Sequence, residues 1–399
     1  MRLALDKEGW SRFRFDEIAQ KISKTVNPSE TDLEKYIGLE HIDAEDIHIR
    51  RWGCPSDVKG GKLLCYPGDI IFGKRRAYQR KAAIVEEESI CSAHAFVFRA
   101  IEDAILPEFL PFFLHSDSFM NRMVDISVGG LSPTINWGDL KHQEFLLPPK
   151  DQQAELAELL WALDDVIEMK KKFLDEAELF HFTQRVRLLN GYNLVSERNE
   201  LPNNWVKLKI KDLGRVSTSS VDKKIRQDHQ PVQLLNYMDV YSSIDKSIDS
   251  RIDFMRVTAN KNQVTNNQLY VGDVLFTPSS ETVDDIGHSA VVTEELPETL
   301  YSYHLVRLSF DKEIDIDFKR FIFNNPKILY EFSRKAKGVT RMTLSLDDFR
   351  NTEVILPKSL EEQKCIANQL LVILESKNDI NSALKQSIAF QKSLINQIF

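Results

Sequence analysis

Groups of arginine and lysine are the residues of this chain whose types and spacing most directly suggest chemistry. They lie beside glycine-containing segments in both halves of the sequence. The candidates are Arg50, Arg51, Lys59, Lys74, Arg75, Arg76, Arg80, Lys223, Lys224, Arg226, Arg334, Lys335, Lys337 and Arg341. Such side chains contact phosphates, and arginine is the commonest reader of guanine edges. A solvated charged loop explains any single group equally well, but recurrence in both halves favours nucleic acid.

Catalytic constellations are not evident in the sequence. An adenine or cytosine methyltransferase needs an Asn-Pro-Pro-Tyr type of motif and a glycine-rich cofactor loop, and neither is present. The run Gly60–Leu63 lacks the full spacing of a phosphate-binding loop. Asp317 and Lys319 could end a metal-nuclease motif, but no upstream acid is well placed. His94 and His304 occupy matching positions, which is more typical of core histidines than of a catalytic pair.

The sequence contains an internal repeat, and its segments are the elements that position these residues. Four segments of the first half are echoed in the second, and the pairs are 10–13 with 205–208, 66–72 with 270–276, 129–140 with 338–349, and 147–153 with 356–363. The period is about half the chain, so it indicates a tandem duplication of one domain and one helix rather than a short-period solenoid. Two similar but unequal units suggest a device that reads two different things at a fixed separation.

At the end of each half, apolar residues recur at alternating spacings of three and four positions. This pattern predicts a coiled-coil seam. The seam residues are Leu156, Leu160, Leu163, Ile167 and Leu174 in the first helix, and Ile366, Leu370, Ile373, Ile380 and Leu384 in the second. Neither helix can bury this stripe alone, so the two must pair with each other or with a partner chain. Their placement suits an antiparallel pair.

The segments between are mixed. Apolar runs predict strands at Ile70–Phe72, Ala95–Phe98 and Val274–Phe276, while Phe109–Met123 and Phe318–Phe332 are predicted as helices. The predicted fold class is therefore α+β, with two similar domains separated by two long antiparallel coiled-coil helices.

The predicted boundaries follow from this pattern. Residues 1–149 form the first domain, 150–190 the central helix, 191–355 the second domain and 356–399 the C-terminal helix. An asparagine-rich stretch, residues 189–204, is predicted to be the linker into the second domain.

Composition sets further bounds. The chain has 399 residues and a net charge of −8, so binding to nucleic acid must rest on local patches. Cys54, Cys65, Cys91 and Cys365 form no metal-ligand spacing and are expected to be small buried apolar residues. No apolar signal segment is evident at the start and no run is long enough to span a bilayer, so we expect a reducing, cytoplasmic location and no membrane partner.

These residues together resemble a specificity subunit of a Type I restriction-modification system, over essentially the whole chain. The marks are Gly68–Lys74, the run from Gly129 to Pro149 and the helix opening at 356–367. The order domain, helix, domain, helix is the most specific feature.

The resemblance implies two target-recognition domains, each reading one half of a split, asymmetric site on double-stranded DNA. It implies that the helix pair sets the spacing between half-sites and docks two methyltransferase subunits. Adenine methylation with S-adenosylmethionine would belong to those partners, and ATP and Mg would belong to restriction and translocase subunits of a full complex. This chain would hold no cofactor and no metal, and it would not itself be an enzyme.

Two other interpretations stay open on the sequence. One is a two-domain coiled-coil scaffold that never touches DNA, which predicts no salt-dependent DNA affinity. The other is a metal-dependent nuclease that uses Asp317 and Lys319, which predicts cleavage by the purified chain.

Overall fold

The computed structural model describes residues 7–191 and 201–399. Residues 1–6, on which the expectation of no signal segment rests, and residues 192–200, which make up most of the predicted linker, lie outside the described residues. The chain divides into two compact units, one made of Met1–Lys171 and Ser382–Phe399 and the other of Lys172–Asn381. Both boundaries fall inside a long helix.

The first half of the chain carries ten strands and four short helices ahead of a long one. The strands are β1 (Ser11–Arg14), β2 (Ala19–Ile22), β3 (Thr25–Val26), β4 (Tyr36–Ile37), β5 (Lys62–Cys65), β6 (Ile70–Gly73), β7 (Ala82–Ile84), β8 (Ser89–Cys91), β9 (Ala95–Ala100) and β10 (Glu144–Leu147). The helices are α1 (Phe15–Ile18), α2 (Leu110–His115), α3 (Asp117–Asp125), α4 (Trp137–Leu140) and α5 (Lys150–Leu189).

The second half repeats this plan. Its strands are β11 (Trp205–Lys209), β12 (Gly214–Thr218), β13 (Gln230–Leu235), β14 (Ser247–Ile248), β15 (Met255–Ala259), β16 (Val274–Phe276), β17 (Ser279–Ser280), β18 (Ser289–Val292), β19 (Thr299–Tyr301), β20 (Val306–Phe310), β21 (Met342–Thr343) and β22 (Glu353–Pro357). Its helices are α6 (Tyr237–Tyr241), α7 (Lys261–Asn267), α8 (Ile316–Ile322), α9 (Pro326–Lys335), α10 (Leu346–Arg350) and α11 (Leu360–Ile398).

The sheets show the duplication. A sheet of order β2-β9-β6-β7 in the first unit corresponds to β12-β20-β16-β18-β14 in the second. In both, the strand that follows a Gly-Asp turn, β6 or β16, lies in the interior of the sheet and consists of buried residues. A two-stranded antiparallel ribbon, β1 with β10 or β11 with β22, precedes each long helix. The α+β class predicted from the sequence is confirmed.

The Gly-Asp turns have the same construction in both units. Gly68 and Gly272 adopt φ of 85° and 88°, a region that glycine enters without strain. The following carboxylates, Asp69 and Asp273, are buried and accept the backbone N–H of Tyr66 and of Tyr270. The echoed sequence therefore specifies a turn that starts a core strand, rather than a ligand site.

Two predicted helices are each broken in two. The segment 109–123 divides into α2 and α3 because the Ser116 side chain caps the second helix by accepting the N–H of Phe119. The segment 318–332 divides into α8 and α9, where Asn325 accepts the N–H of Lys327 and Pro326 occupies the first turn. Both changes follow capping chemistry that apolar periodicity does not register.

The helices α5 and α11 pair antiparallel within each unit. In the first unit the Lys170 ammonium donates to Ser387 Oγ at 2.7 Å, and the Gln391 amide donates to Asp164 at 3.2 Å. In the second unit Lys377 forms an ion pair with Glu178 at 3.0 Å. Rising residue numbers in one helix meet falling numbers in the other, as expected of an antiparallel pair.

The predicted seam residues vary in burial. Leu156, Leu160, Ile167, Ile366, Leu370 and Leu384 are buried, whereas Leu163, Leu174, Ile373 and Ile380 are half-buried. Near the ends of the pair the stripe joins the domain cores, where Leu160 shares one cluster with Leu394 and Ile398. Leu370 shares another cluster with Leu189 and Phe318. The helices are thus part of the domain interiors as well as a pair.

Equivalent glutamines fix each helix to its domain. The buried Gln153 amide donates to the carbonyls of Pro148 and Ala104, and its oxygen accepts the N–H of Leu106. Gln363 makes the corresponding bonds to Pro357 and Asp315. Satisfying backbone groups in this way is a strong reason for a buried amide.

Preceding residues add a second pair of matched bonds. The Trp10 indole donates to Gln152 and the Trp205 indole donates to Glu362, each at 2.9 Å. The sequence echo around these tryptophans therefore has a structural cause in the joint between domain and helix.

Two further expectations meet different outcomes. Cys65 and Cys91 are buried, but Cys54 and Cys365 are exposed, so the prediction of four buried cysteines is wrong for two of them. Cys54 lies in a loop before a short 3₁₀ turn, and Cys365 lies on the outer face of α11. None of the helices in the described ranges combines the length and apolar character needed to cross a membrane.

Candidate nucleic-acid interface

The candidate surface of the first domain is built where β6 ends. The chain leaves this strand through Lys74, Arg75 and Arg76, and a hairpin of residues 128–134, here called the first hairpin, docks on that segment. The Arg76 N–H donates to Pro133 O at 2.7 Å, and the Ile135 N–H donates to Lys74 O at 2.9 Å. Arg76 adopts a left-handed backbone conformation there, φ 55°, which is uncommon outside glycine.

The second domain repeats the docked hairpin where β16 ends, although residues 277–285 after this strand include no arginine or lysine. A hairpin of residues 337–343, here called the second hairpin, pairs through β21 with β17, and the Leu344 N–H donates to Pro278 O at 2.9 Å. Both hairpins are the glycine-containing segments that the sequence places ahead of the long helices. The structure thus brings Lys74–Arg76 to the glycine segment of the first domain, and in the second domain it brings Lys223, and Arg341 of the hairpin, near one histidine, His304.

Six candidate residues are exposed, and their side chains make no hydrogen bond or ion pair within residues 7–191 and 201–399. They are Lys59, Arg75, Lys223, Lys224, Lys337 and Arg341. Arg76 is also exposed, but its Nε donates to Ser132 Oγ of the first hairpin at 3.1 Å. Lys74 is half-buried over the Phe96 ring, 5.3 Å from its centroid.

Six other candidates are already engaged by the protein. Arg50 binds Asp46 and Glu168, and Arg80 binds Glu45 and Asp117. These arginines hold the first domain and its helices together, so their ion pairs argue against DNA contact. The other four candidates bond only to residues nearer in sequence, so these contacts argue less strongly against DNA contact. The pairs are Arg51 with Asp43, Arg226 with Asp222, Arg334 with Glu331, and Lys335 with Thr352 Oγ1.

The structure also places residues on this surface that the sequence did not single out. The Lys21 ammonium lies 5.7 Å from the Trp137 ring centroid and 5.9 Å from that of Phe96. Burial and then the nearby Lys21 charge lower the pKa of Lys74. An isolated lysine in a strand carries no sequence signal, and only the fold brings it to the basic group.

His304 lies near the basic residues Arg341 and Lys223 in the second domain. Burial lowers its pKa, and the charges of Arg341 and Lys223 lower it further. The ring packs 3.9 Å from that of the exposed Tyr303. Burial and the two positive charges both disfavour the charged form of the ring, and pairing of His304 with an acid or a nucleophile is not seen in the described part of the chain.

A separate ion-pair network lies beneath the first domain, around a cavity of about 330 Å³ lined by Glu45, Asp46, Arg80, Asp164, Lys171 and Lys392. Its acids and bases pair with one another, as Lys392 does with Glu45 at 2.6 Å. Within residues 7–191 and 201–399 no group of three or more His, Cys, Asp and Glu could hold a metal ion.

The two residues on which the nuclease alternative depends, Asp317 and Lys319, are also bonded within the protein. The buried Lys319 ammonium donates to Gly272 O and lies over the Phe310 ring, while Asp317 pairs with Arg320. Both side chains serve the fold of the second domain.

His48 in this network makes the stability of the first unit depend on pH. Its ring lies 2.7 Å from the Asp164 carboxylate on α5, and this hydrogen bond raises the pKa of His48 against the opposing effect of burial. Glu168 and Asp46 also favour the charged ring. A raised folded-state pKa stabilises fully below the unfolded value of about 6.5, and the contribution is lost as pH rises through the folded pKa.

We therefore expect His48→Asn to lower the free energy of unfolding more at pH 5.5 than at pH 8.5. Urea denaturation of both proteins at the two pH values measures this. His41, a histidine of the same domain bonded to the Gly38 N–H, provides the control as His41→Asn. An equal effect of His48→Asn at both pH values would show that the charged pair contributes nothing.

Two domains of the same construction, each with an anchored hairpin beside exposed basic side chains and each followed by a long helix, define a duplicated protein of the kind that recognises nucleic acid. Residues 7–179 and 202–389 match the family of the Type I restriction modification DNA specificity domain. The chain belongs to this family, and it carries two copies of the domain. The resemblance inferred from the sequence is confirmed, and DNA specificity is favoured over the scaffold and nuclease alternatives.

Individual relatives agree with this assignment. The chain is 27% identical over 164 residues to the Type I restriction enzyme EcoDI specificity subunit of Escherichia coli, a match that covers 40% of this chain and 36% of that one. It is 20% identical over 375 residues to the MjaIX specificity subunit of Methanocaldococcus jannaschii, covering 86% of this chain and 81% of the relative.

Solved structures show the same fold. A chain from a structure of complex assembly in the type I R-M system superposes with a TM-score of 0.63 at 18% identity, covering 98% of this chain and 96% of that one. The S subunit of a Type-I restriction-modification system from M. genitalium gives a TM-score of 0.58 at 12% identity, covering 100% and 98%.

Proposed function

We propose that this chain reads a split, asymmetric site on double-stranded DNA, one half-site with each domain. In this proposal residues 1–149 and 191–355 are the target-recognition domains, and residues 150–190 and 356–399 are the spacer helices. The observation that carries it is the repeated surface, in which an anchored hairpin meets exposed basic side chains in each domain, on a chain whose halves both belong to a DNA specificity family.

The division of labour in a larger complex is also proposed. Two methyltransferase subunits bind the spacer helices and methylate adenine with S-adenosylmethionine, while restriction and translocase subunits supply ATP- and Mg-dependent cleavage. Exposed apolar residues at intervals on the outer faces of α5 and α11, among them Met169 and Val372, support a protein partner there. Such a complex would work in the cytoplasm, where the DNA is.

The experiment that tests this function maps methylated adenines in the host genome with and without this gene. A split motif that disappears on deletion and returns on complementation is the expected result. Binding of the purified complex to that motif should weaken steeply with salt, because phosphate contacts release counterions. An unchanged methylation map together with no DNA binding by the complex would refute the proposal.

Arg75 is the residue of the first domain that we expect to contact a base edge. Its side chain is exposed and makes no bond within the described residues, unlike that of Arg76. Arg75→Ala should cost ~1–3 kcal/mol of binding to the mapped site and relax the preference at one base pair of one half-site. The measurement is fluorescence anisotropy with the mapped duplex and its single-base variants.

Arg51→Ala is the matched control, because it removes the same charge from the same domain but from an arginine already paired with Asp43. If Arg75→Ala instead weakened all sequences alike and reduced the salt dependence, Arg75 would be a phosphate contact.

A further inference from the structure

Each hairpin of the candidate surface presents one apolar side chain entirely to solvent. Leu131 in the first hairpin is 97% exposed, and Val339 in the second is 101% exposed. A single exposed apolar residue needs no explanation. The same exposure on equivalent hairpins of two diverged domains does, because such residues contribute nothing to either core.

The stems that carry these tips are rigid. Val128 and Thr134 exchange two backbone hydrogen bonds across the first hairpin, at 3.1 and 2.9 Å, and Lys337 and Thr343 do so across the second, at 3.0 and 2.9 Å. At Gly338, with φ of 149°, an added Cβ would come within 2.0 Å of the Arg341 carbonyl oxygen. The backbone thus folds tightly to project Val339, and a preorganised tip loses little entropy on binding.

Basic side chains flank both tips. Arg76 donates from its Nε to Ser132, the residue next to Leu131, and Arg75 lies beside it. In the second hairpin Arg341 is exposed two residues after Val339, and Lys337 is at the base. An apolar tip between cations matches the chemistry of a DNA groove, where phosphates line the edges and base faces and thymine methyl groups lie within.

The two tips are not identical. Aligned on Thr134 and Thr343, the apolar residue stands one position earlier in the second hairpin, so Val339 takes the place of Gly130. A longer leucine and a shorter, stiffer valine therefore project from neighbouring positions of the same loop. This difference suits two half-sites of different sequence.

We propose that Leu131 and Val339 enter a DNA groove and pack against the bases, one in each half-site, and that they partly unstack a base step there. This inference rests on the proposed function, because it assigns a role on the same surface to these two side chains, here called the wedge residues. Side chains of this kind that insert between base steps loosen stacking and kink the duplex. Sequences that unstack easily at that step would then be preferred without any hydrogen bond to a base.

The test uses the full chain in complex with its methyltransferase partner and duplexes of the mapped site with 2-aminopurine at successive purine positions. Unstacking raises 2-aminopurine fluorescence. The wild-type complex should raise it at one step in each half-site. Leu131→Ser should abolish the rise in one half-site only, Val339→Ser in the other only, and each should weaken binding by about tenfold.

Two control variants replace exposed apolar residues that lie outside the hairpins. They are Val124→Ser, on α3 of the first domain, and Ile244→Ser, in a bend of the second, at residues that are 44% and 72% exposed. Both should leave the fluorescence and affinity unchanged. Because Leu131 and Val339 are almost fully exposed, thermal unfolding of the two tip variants should match the wild type.

The outcomes separate the possibilities. Unchanged fluorescence and affinity in both tip variants, with site-specific binding by the wild type, would overturn the wedge alone. Loss of methyltransferase from the complex in the tip variants, with normal DNA binding by whatever assembles, would identify the tips as protein contacts and overturn it too. A wild-type complex without site-specific binding would remove the proposed function and this inference with it.

Discussion

Replacing Leu160 with aspartate should destabilise the first unit by several kcal/mol. Leu160 is fully buried, and it shares its core cluster with Leu156 from the same helix and Leu394 and Ile398 from α11. The substitution removes a packed side chain and places a carboxylate without a partner in apolar surroundings. Either effect alone costs ~2–5 kcal/mol, which is a large share of the free energy of unfolding of a typical domain. Urea denaturation followed by circular dichroism measures the change.

Leu159→Asp is the matched control, because Leu159 is the neighbouring residue on the exposed side of the same helix. It should change the free energy of unfolding by less than about 0.5 kcal/mol. Leu163, another predicted seam residue, is only half-buried and should fall between the two. Equal losses at Leu159 and Leu160 would show that the helix face, and hence the pairing, has been assigned wrongly.

Exchanging residues 1–149 for the matching domain of a relative should replace one half of the recognised site and leave the other half unchanged. In the proposed function each domain reads its own half-site, and α5 begins directly after the exchanged segment. Methylated-adenine mapping of a host that carries the chimera reports both half-sites at once. Exchanging residues 191–355 is the reciprocal control and should replace only the other half.

The joint places one constraint on a chimera. The Gln153 side chain bonds only to backbone atoms, among them those of Ala104 and Leu106, so these bonds do not depend on the side chains of the donor domain. The Phe399 ring, in contrast, packs against side chains, with its centroid 5.0 Å from that of Phe109 and 5.4 Å from that of Phe113. The donor domain should therefore keep aromatic residues at these two positions. A change in both half-sites on a single exchange would contradict independent reading by the two domains.

The sequence predicts the strands and the long helices because their signals are local. Apolar runs such as Ile70–Phe72 become core strands, and the spacing of three and four gives α5 and α11. The breaks at Ser116 and Asn325 escape prediction, since one side-chain cap outweighs apolar periodicity there.

The candidate surface is predicted less well than the fold. Arg50 and Arg80 appear free in the sequence, but their partners Glu168 and Asp117 lie 118 and 37 positions away, so only the folded chain shows that they are occupied. Lys21 is missed for the opposite reason, because no basic residue stands directly beside it and no glycine segment is near it in sequence. The hairpins themselves are visible as glycine segments, while the exposure of Leu131 and Val339 emerges only from the structure.

The composition of the first unit has a consequence for synthesis of the protein. Its core includes Leu394, Ile395 and Ile398, which the ribosome adds after every residue of the second unit. Domains usually fold in the order in which they emerge, at about 5–20 residues per second. Here the second unit, residues 172–381, is contiguous and can close early, whereas the domain that is made first must wait for the last turns of α11. During that interval its aromatic core around Phe109 and Phe113 lacks its final layer, and this is the stage at which the nascent chain most needs protection from aggregation.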